Sequence, residues 1–103
     1  MSLEVRPMEE GDLEALAALE ALCFSEPWSQ ESLGEELSNP NACFLTAAEG
    51  GEVLGYGGMH FACGEFYLDN LAVFPQHRHK GAARAILLAL RDFALSQKGA
   101  FIT

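Results

Sequence analysis

The last third of the chain carries the pattern that most constrains the fold: a strand, a basic loop, a long amphipathic helix and a second strand. Residues 66–74 are predicted to form a strand that is apolar at most positions and that Pro75 ends, and residues 82–97 place apolar side chains at helical spacing. Strands joined by a helical crossover pair in parallel, so the pattern predicts a sheet covered by helices. Gly99 fits a helix C-cap, and residues 100–103 have the composition of a new strand. The apolar stripe of the helix consists of Ala83, Ile86, Leu87, Leu90, Phe93 and Ala94.

Helix and strand signals in the first two thirds of the chain complete an α/β or α+β domain. Asp12 is predicted to be the N-cap of a helix over residues 12–24, and Ser29 the N-cap of a second helix that ends at residues 39–41. A chain of 103 residues is expected to form a single domain, residues 1–103. The predicted order is β-αα-β-β-β-α-β, with further strands around Leu3 and Val5, over residues 43–48 and 53–61, and a hairpin turn at residues 49–52.

Three glycines interrupt the predicted strand over residues 53–61. Gly55, Gly57 and Gly58 weaken a strand because they offer no side chain to pack. Glycines inside a strand are typical of a bulge or of a close approach by another backbone. We therefore expect one of these two features in this strand.

The charge distribution excludes some classes of partner. The formal net charge of the chain is −9, which argues against binding to nucleic acid or to an anionic membrane surface. Residues 1–75 hold 14 acidic residues and one basic residue, whereas residues 76–103 hold five basic residues and one acidic residue. Small anions are therefore expected near the second region and cations near the first.

The cysteines and the hydropathy of the chain indicate the cellular compartment. Cys23, Cys43 and Cys63 are odd in number and widely spaced, and no Cys or His pair has the spacing of a zinc site. We expect reduced, mostly buried cysteines in a cytoplasmic protein that binds no metal. Apolar runs are too short for a membrane span, and the acidic N-terminus is not that of a signal peptide.

The segment from Leu71 to Arg84 carries the chemistry. A strand followed by a loop with Gly81 and by a helix start points unpaired backbone N–H groups at one spot, with the helix dipole behind them. Basic side chains add positive charge, so a pyrophosphate is a plausible ligand. The segment is neither a Walker loop nor the GxGxxG dinucleotide motif. The alternative is a solvated basic helix start that balances an acidic body.

The motif Arg78-x-x-Gly81-x-Ala83 resembles the R/Q-x-x-G-x-G/A signature of the GCN5-related N-acetyltransferases (GNAT). The preceding Asn70-Leu71-Ala72-Val73-x-Pro75 is similar to the N-I-A-V-x-P of that family. Residues 24–29 (FSEPWS), 39–42 (NPNA) and 55–58 (GYGG) resemble the RimI-type ribosomal-protein-alanine N-acetyltransferases. The resemblance runs from about Leu3 to Thr103 and implies a GNAT-like mixed central sheet flanked by helices.

The resemblance implies transfer of an acetyl group from acetyl-CoA to an amine, in this subgroup the N-terminal amine of a ribosomal protein. An α-amino group has a pKa of about 7.7–8, so a modest base or a water chain suffices to deprotonate it. In the family one strand N–H polarises the thioester carbonyl, as in an oxyanion hole. The pyrophosphate loop maps to Arg78, His79, Lys80, Gly81, Ala82, Ala83 and Arg84, and the pantetheine strand to Leu71, Ala72 and Val73.

Two departures from the family pattern matter. His79 stands where close relatives have glycine, which crowds the loop but leaves its amide available. The family continues with the rest of the fifth strand, a helix and two strands, so we expect this chain to lack the C-terminal part of the fold. The catalytic Glu and Tyr of the subgroup would fall past Thr103, and no general base or acid is assigned here. An exposed sheet edge then favours homo-oligomers.

Other side chains admit a functional and a structural interpretation. His60, His77 and His79 are more typical of strand and loop residues than of ligands or bases. Glu65 and Asp69 could face the acceptor amine or be a solvated edge. Trp28 is expected to pack the turn between the first two helices, which in the family helps to shape the acceptor groove. The alternatives to protein acetylation are another amine, such as a polyamine or an aminoglycoside, and a CoA-binding fragment without catalysis.

Overall fold

A mixed five-stranded sheet forms the centre of the chain in the computed structural model, which describes residues 3–97 and 100–102. The last pair is parallel, as the crossover pattern predicted, and the other neighbouring strands run antiparallel. The same expectation was wrong for the first two strands, which are also joined through helices but pair antiparallel. Across the sheet the strands are β1 (Glu4–Pro7), β2 (Ala42–Glu49), β3 (Glu52–Ala62), β4 (Glu65–Val73) and β5 (Ala100–Ile102).

The helices connect neighbouring strands of the sheet and cover both of its faces. The predicted α+β class is confirmed, but the element order differs in detail because short 3-10 helices extend or precede the predicted ones. In the described residues the helices are α1 (Leu13–Cys23), α2 (Gln30–Glu35) and α3 (Ala82–Ser96), with 3-10 helices at Glu10–Asp12, Glu36–Ser38 and Pro75–His77. The predicted C-cap Gly99 lies outside the described residues, as do Lys98 and Thr103.

Two apolar layers lie on opposite sides of the sheet. On one face α3 buries Ile86 and Leu90 against the sheet. On the other face Leu16 and Leu19 of α1 and Leu33 of α2 pack against the remaining core residues. Side chains alternate along a strand, so β4 places Leu71 and Val73 toward α3, and Asn70 and Ala72 toward α1. Strand β4 therefore contributes side chains to the apolar layers on both faces of the sheet.

The two predicted N-caps have different outcomes. Ser29 is confirmed, since its Oγ accepts a hydrogen bond from the N–H of Ser32 at 3.0 Å. Asp12 occupies the predicted N-cap position of α1, but its side chain makes no cap hydrogen bond to that helix. The Asp12 carboxylate instead accepts two hydrogen bonds from the Arg6 guanidinium, at 2.7 and 2.9 Å, and one from the N–H of Glu9. Arg6 beside it holds the pKa of Asp12 below its usual range.

The cysteines are less buried than the sequence predicted. Cys43 lies in the core, Cys23 is half-buried and Cys63 is exposed in the turn between β3 and β4, all three as free thiols. The expectation of mostly buried cysteines was therefore wrong, because α1 ends at Cys23 and the hairpin turn begins at Cys63. Within the described part of the chain, no helix has the length and apolar character needed to cross a bilayer.

The glycines of β3 mark both a bulge and a close backbone approach. The register of β3 and β4 shifts between Gly58 and Met59, which leaves Asp69 as the extra residue of a bulge. A Cβ at Gly55 would lie 2.4 Å from the carbonyl oxygen of Ala72 and 2.9 Å from the Cα of Val73. The expectation from the sequence is confirmed, and β3 and β4 are held together at the end of β4.

Replacement of Gly55 by alanine is expected to destabilise the fold. The added methyl group meets backbone that belongs to a paired strand and cannot move aside, so we expect Gly55→Ala to lower the free energy of unfolding by about 2–3 kcal/mol. Denaturant titration followed by circular dichroism measures the change. Gly11→Ala is the control, since a Cβ there meets no described atom within 4 Å and should change stability by less than about 1 kcal/mol. Equal stability of the two variants would contradict the close approach.

Candidate functional site

A cleft of about 500 Å³ lies where the end of β4 meets the start of α3. Among the described residues, β5 pairs with β4 only over Glu65 to Tyr67, so the later part of β4 has ladder partners on the β3 side alone. On the other side of this part of β4, the carbonyl oxygen of Val73 accepts a hydrogen bond from Nε of Arg78. The lining residues are Cys23, Phe24, Leu71, Ala72, Val73, His77, Arg78, His79, Gly81, Ala82, Ala83 and Arg84.

The structure brings together all of the predicted site residues except one. Lys80 does not line the cleft, because its Nζ lies 3.4 Å from Nδ1 of His77. Cys23 and Phe24 were not predicted to line the cleft, whereas His77 was predicted as a loop residue near the phosphate. Cys23 and Phe24 lie at the C-terminal end of α1, far from the loop along the chain, and no local pattern could have placed them there. Ala83, predicted in the apolar stripe, is exposed in the cleft.

The loop before α3 presents backbone donors to the cleft. Gly81 adopts the left-handed conformation, with φ +83° and ψ +8°, and is the N-cap of α3. The first helical hydrogen bond is donated by the N–H of Ala85 to the carbonyl of Gly81, so the three preceding amides have no partner within the helix. A Cβ at Gly81 would meet no described atom within 4 Å. Amide donors and the positive end of the helix dipole together suit a phosphate group.

Arg78 fixes the loop against the end of β4. Its Nε donates to the carbonyl oxygen of Val73 at 3.2 Å, and its Nη2 lies 3.7 Å from Sγ of Cys23. The guanidinium therefore joins the loop, β4 and the end of α1, in addition to bringing a positive charge to the cleft wall. His77 is buried behind the loop, with Nε2 at 2.8 Å from Oε2 of Glu52.

A buried hydrogen-bonded cluster lies on the α1 side of β4. The carboxylate of Glu20 is fully buried. It accepts hydrogen bonds from the backbone N–H of Trp28 at 2.9 Å, from the Tyr56 hydroxyl at 2.5 Å and from Nδ2 of Asn70 at 2.7 Å. Nδ2 of Asn70 also donates to the Tyr56 hydroxyl oxygen at 3.0 Å. Burial and then the bond to Glu20 raise the pKa of Tyr56, so its hydroxyl stays protonated.

Three further side chains singled out in the sequence form a second polar cluster. His60 hydrogen-bonds to Asp69 through Nδ1 and to Oε2 of Glu36 through Nε2 at 2.8 Å. Trp28 lies in the turn between α1 and α2, stacks on His60 with ring centroids 6.3 Å apart, and packs on Phe44 of β2, a contact that the sequence did not predict. Partial burial lowers the pKa of His60, but the two carboxylates outweigh it, and the net shift is upward. Asp69 is therefore held by His60.

Glu65 lies apart from the cleft and accepts a hydrogen bond from the hydroxyl of Tyr67 at 2.7 Å. Within residues 3–97 and 100–102, no cluster of three or more His, Cys, Asp or Glu side chains has an arrangement that could hold a metal ion. The functional interpretation of the described residues therefore rests on the cleft and on the two polar clusters beside it.

Comparison with known proteins identifies the class. Residues 13–103 match the acetyltransferase (GNAT) family, and the chain belongs to that family. It is 32% identical over 75 residues to a putative [ribosomal protein bS18]-alanine N-acetyltransferase of Bacillus subtilis, covering 72% of this chain and 50% of that protein. It is 30% identical over 89 residues to the N-alpha-acetyltransferase RimI of Mycobacterium tuberculosis, covering 81% and 56%. The chain thus spans about half the length of these relatives.

A solved structure supports the same fold. The PaiA N-acetyltransferase of Thermoplasma acidophilum, solved in complex with coenzyme A, superposes with a TM-score of 0.81 at 24% sequence identity. The match covers 95% of this chain and 75% of that one. The GNAT-like α+β fold expected from the sequence is therefore confirmed, and the named relatives are of the RimI type.

The left-handed backbone of His79, with φ +69°, explains why glycine suits this position. We expect His79→Gly to raise the free energy of unfolding by about 1 kcal/mol, because relief of strain exceeds the added entropy of glycine in the unfolded chain. Thermal and denaturant unfolding measure it. Gln76→Gly in the neighbouring 3-10 helix is the control and should lower stability instead. Destabilisation by His79→Gly would contradict a strained loop.

The raised pKa of His60 predicts a pH dependence of stability. Because the folded-state pKa lies above the ordinary value of 6.5, the protonated His60 stabilises the fold fully below about pH 6.5, and this contribution disappears as pH rises through the folded-state pKa. We expect the free energy of unfolding to fall over that window in the parent protein and to fall less in His60→Gln. Urea titrations at a series of pH values measure it. Identical pH profiles would show that Glu36 and Asp69 do not stabilise the imidazolium.

Proposed function

We propose that this chain is the acetyl-CoA-binding part of an N-acetyltransferase that moves an acetyl group from acetyl-CoA to an amine. The observation that carries the proposal is the cleft between the open edge of β4 and the N-terminus of α3. One side of this cleft offers unpaired helix amides for phosphates, and the other offers strand backbone for an extended chain. Membership of the GNAT family supports acetyl-CoA as the co-substrate.

Each proposed binding residue has a physical role in this scheme. The amides from His79 to Arg84 would hold the pyrophosphate, with Arg78 and Arg84 adding charge and Lys80 at the outer side of the loop. The backbone of Leu71, Ala72 and Val73 would pair with the pantetheine. A strand N–H fixed at the thioester carbonyl would stabilise the negative charge that develops on its oxygen.

The acceptor that the relatives favour is the N-terminal amine of a ribosomal protein. Two relatives at 30–32% identity are named as N-terminal or bS18-alanine acetyltransferases. The acidic excess of residues 1–75 would attract a cationic protein N-terminus. No general base is assigned within the described residues, and an α-amine with a pKa of about 7.7–8 needs only a modest one.

A transfer assay separates this proposal from its alternatives. Labelled acetyl-CoA is incubated with the chain and with peptides that begin with alanine, and with a polyamine and an aminoglycoside in parallel. Transfer to the alanine peptide supports a protein acceptor. Transfer only to the polyamine or the aminoglycoside would show that the acceptor is a small amine instead. Saturable acetyl-CoA binding without any transfer supports the second candidate, a binding fragment without catalysis.

Gly81 gives the sharpest test of the cofactor site. We expect Gly81→Asn to weaken acetyl-CoA binding at least tenfold, because the added side chain projects into the cleft where the loop amides face. Isothermal titration calorimetry measures the dissociation constant. Asparagine tolerates the left-handed conformation, so the backbone strain of the substitution stays small.

Gly64→Asn is the matched control for this substitution. Gly64 has φ +82° and, like Gly81, an open Cβ position, but it lies in the turn between β3 and β4, outside the cleft lining. Its acetyl-CoA affinity should equal that of the parent protein. Equal acetyl-CoA affinities of the Gly81 and Gly64 variants would show that the loop before α3 does not bind the cofactor.

Self-association through the sheet edge is a separate proposal. β5 lies at one edge of the sheet, and an edge strand offers unpaired backbone groups to another chain. We expect light scattering at tens of micromolar to give a mass above that of one chain. A monomer under these conditions would contradict this association.

A further inference from the structure

The side-chain amide of Asn70 has an orientation that its neighbours dictate. Its Nδ2 donates to Oε2 of Glu20 at 2.7 Å and lies 3.0 Å from the Tyr56 hydroxyl oxygen, so the amide nitrogen faces both groups. The opposite orientation would place the amide oxygen against the Glu20 carboxylate, two acceptors with no proton between them. The amide nitrogen therefore points inward, and the oxygen Oδ1 points away from Glu20.

The oxygen of Asn70 is left as an available acceptor. Asn70 is only half-buried, and among the described residues no donor forms a hydrogen bond to Oδ1. Glu20, in contrast, is fully buried and accepts three hydrogen bonds, so its position is fixed by α1, by Trp28 and by Tyr56. A fixed acceptor at the surface of β4 is the result.

The order of residues along β4 locates this acceptor relative to the cleft. Leu71, Ala72 and Val73 line the cleft, and the phosphate-type donors lie beyond Val73 at the start of α3. An extended ligand with its phosphates at α3 and its chain along Val73 to Leu71 has its far end at Asn70. In acetyl-CoA that far end is the acetyl thioester, if the cleft holds the ligand as proposed.

Of the groups that meet at the thioester end of the ligand, only the attacking amine can donate a hydrogen bond to Oδ1 of Asn70. A thioester has acceptor atoms but no hydrogen-bond donor, so it cannot satisfy Oδ1. The attacking amine is the donor that must approach the same end. The Trp28 N–H is bonded to the same Glu20 carboxylate, which joins the turn between α1 and α2 to this part of β4.

We infer that Oδ1 of Asn70 accepts a hydrogen bond from the N–H of the acceptor amine, and that Glu20 is the positioning residue that keeps this oxygen turned outward. This inference rests on the proposed function, since it takes the cleft to hold acetyl-CoA. Asn70 binds and orients the amine and moves no proton itself. An acceptor at this position pairs with an amine and not with a group that carries no N–H or O–H.

The test reverses the polarity of the cluster without changing its shape. In Glu20→Gln the new Nε2 donates to Asn70, so the Asn70 amide turns and presents its nitrogen outward. In the double variant Glu20→Gln/Asn70→Asp, one carboxylate oxygen accepts from the glutamine and the other again points outward as an acceptor. The Trp28 N–H keeps its partner in both variants, because glutamine retains Oε1.

The measurement uses a tripeptide amide that begins with alanine and its N-acetylated counterpart. Both are titrated into the chain with coenzyme A present, which lacks the acetyl group and permits no transfer, and nuclear magnetic resonance follows the side-chain amide of Asn70 and the backbone. We expect the free amine to bind, the acetylated peptide to bind at least tenfold more weakly, and Glu20→Gln to lose at least tenfold in affinity for the amine. The double variant should recover to within about threefold of the parent.

Several outcomes overturn the inference. These are equal amine affinity in the parent and in Glu20→Gln, no recovery in the double variant, or no amine binding at all. Asn70→Ala is a second variant that should lose the same affinity even if Glu20→Gln does not fold. Acetyl-CoA affinity is measured on every variant and should be unchanged. Loss of acetyl-CoA binding by the parent protein would instead overturn the proposed function.

Discussion

The unshared edge of β4 is the constraint on which the rest of the site depends. Backbone N–H and C=O groups need partners, and beyond Tyr67 the described residues pair β4 with another strand only on the β3 side, while Arg78 bonds to the Val73 carbonyl. The parallel pairing with β5 and the crossover through α3 bring the N-terminus of α3 to the end of this edge. Strand backbone and helix amides therefore face one cleft, although each belongs to an ordinary element of an α+β sheet.

Polar contacts join the walls of the cleft to one another. Arg78 bonds to the last carbonyl of β4, and the His77 imidazole links the loop to Glu52 in the β2–β3 hairpin. Behind β4, the buried Glu20 is compensated by three donors rather than by a cation. Removing one donor from such a cluster leaves a buried acceptor without a partner, so α1 and β4 are held in one relative position.

Much of the fold followed from local patterns, whereas the errors came from contacts between distant segments. The period of α3, the glycine turn after β2 and the Ser29 cap are decided by neighbouring residues, and the structure has them as predicted. Asp12 is the N-cap residue as predicted, but its carboxylate bonds to Arg6 of β1 instead of capping the helix, and this pairing depends on tertiary structure. The phosphate-type loop was predicted from its motif, but its contact with Cys23 arises only when α1 packs beside β4.

The most direct test of the account is the mapping of coenzyme A onto the chain by nuclear magnetic resonance of the backbone amides. The account predicts saturable shifts that concentrate at Leu71 to Val73 and at His79 to Arg84, with the β2–β3 hairpin turn unaffected. This pattern would place the ligand on the open edge of β4 and the start of α3. Saturable shifts on another surface, or none at high concentration, would contradict the assignment of the cleft as the cofactor site.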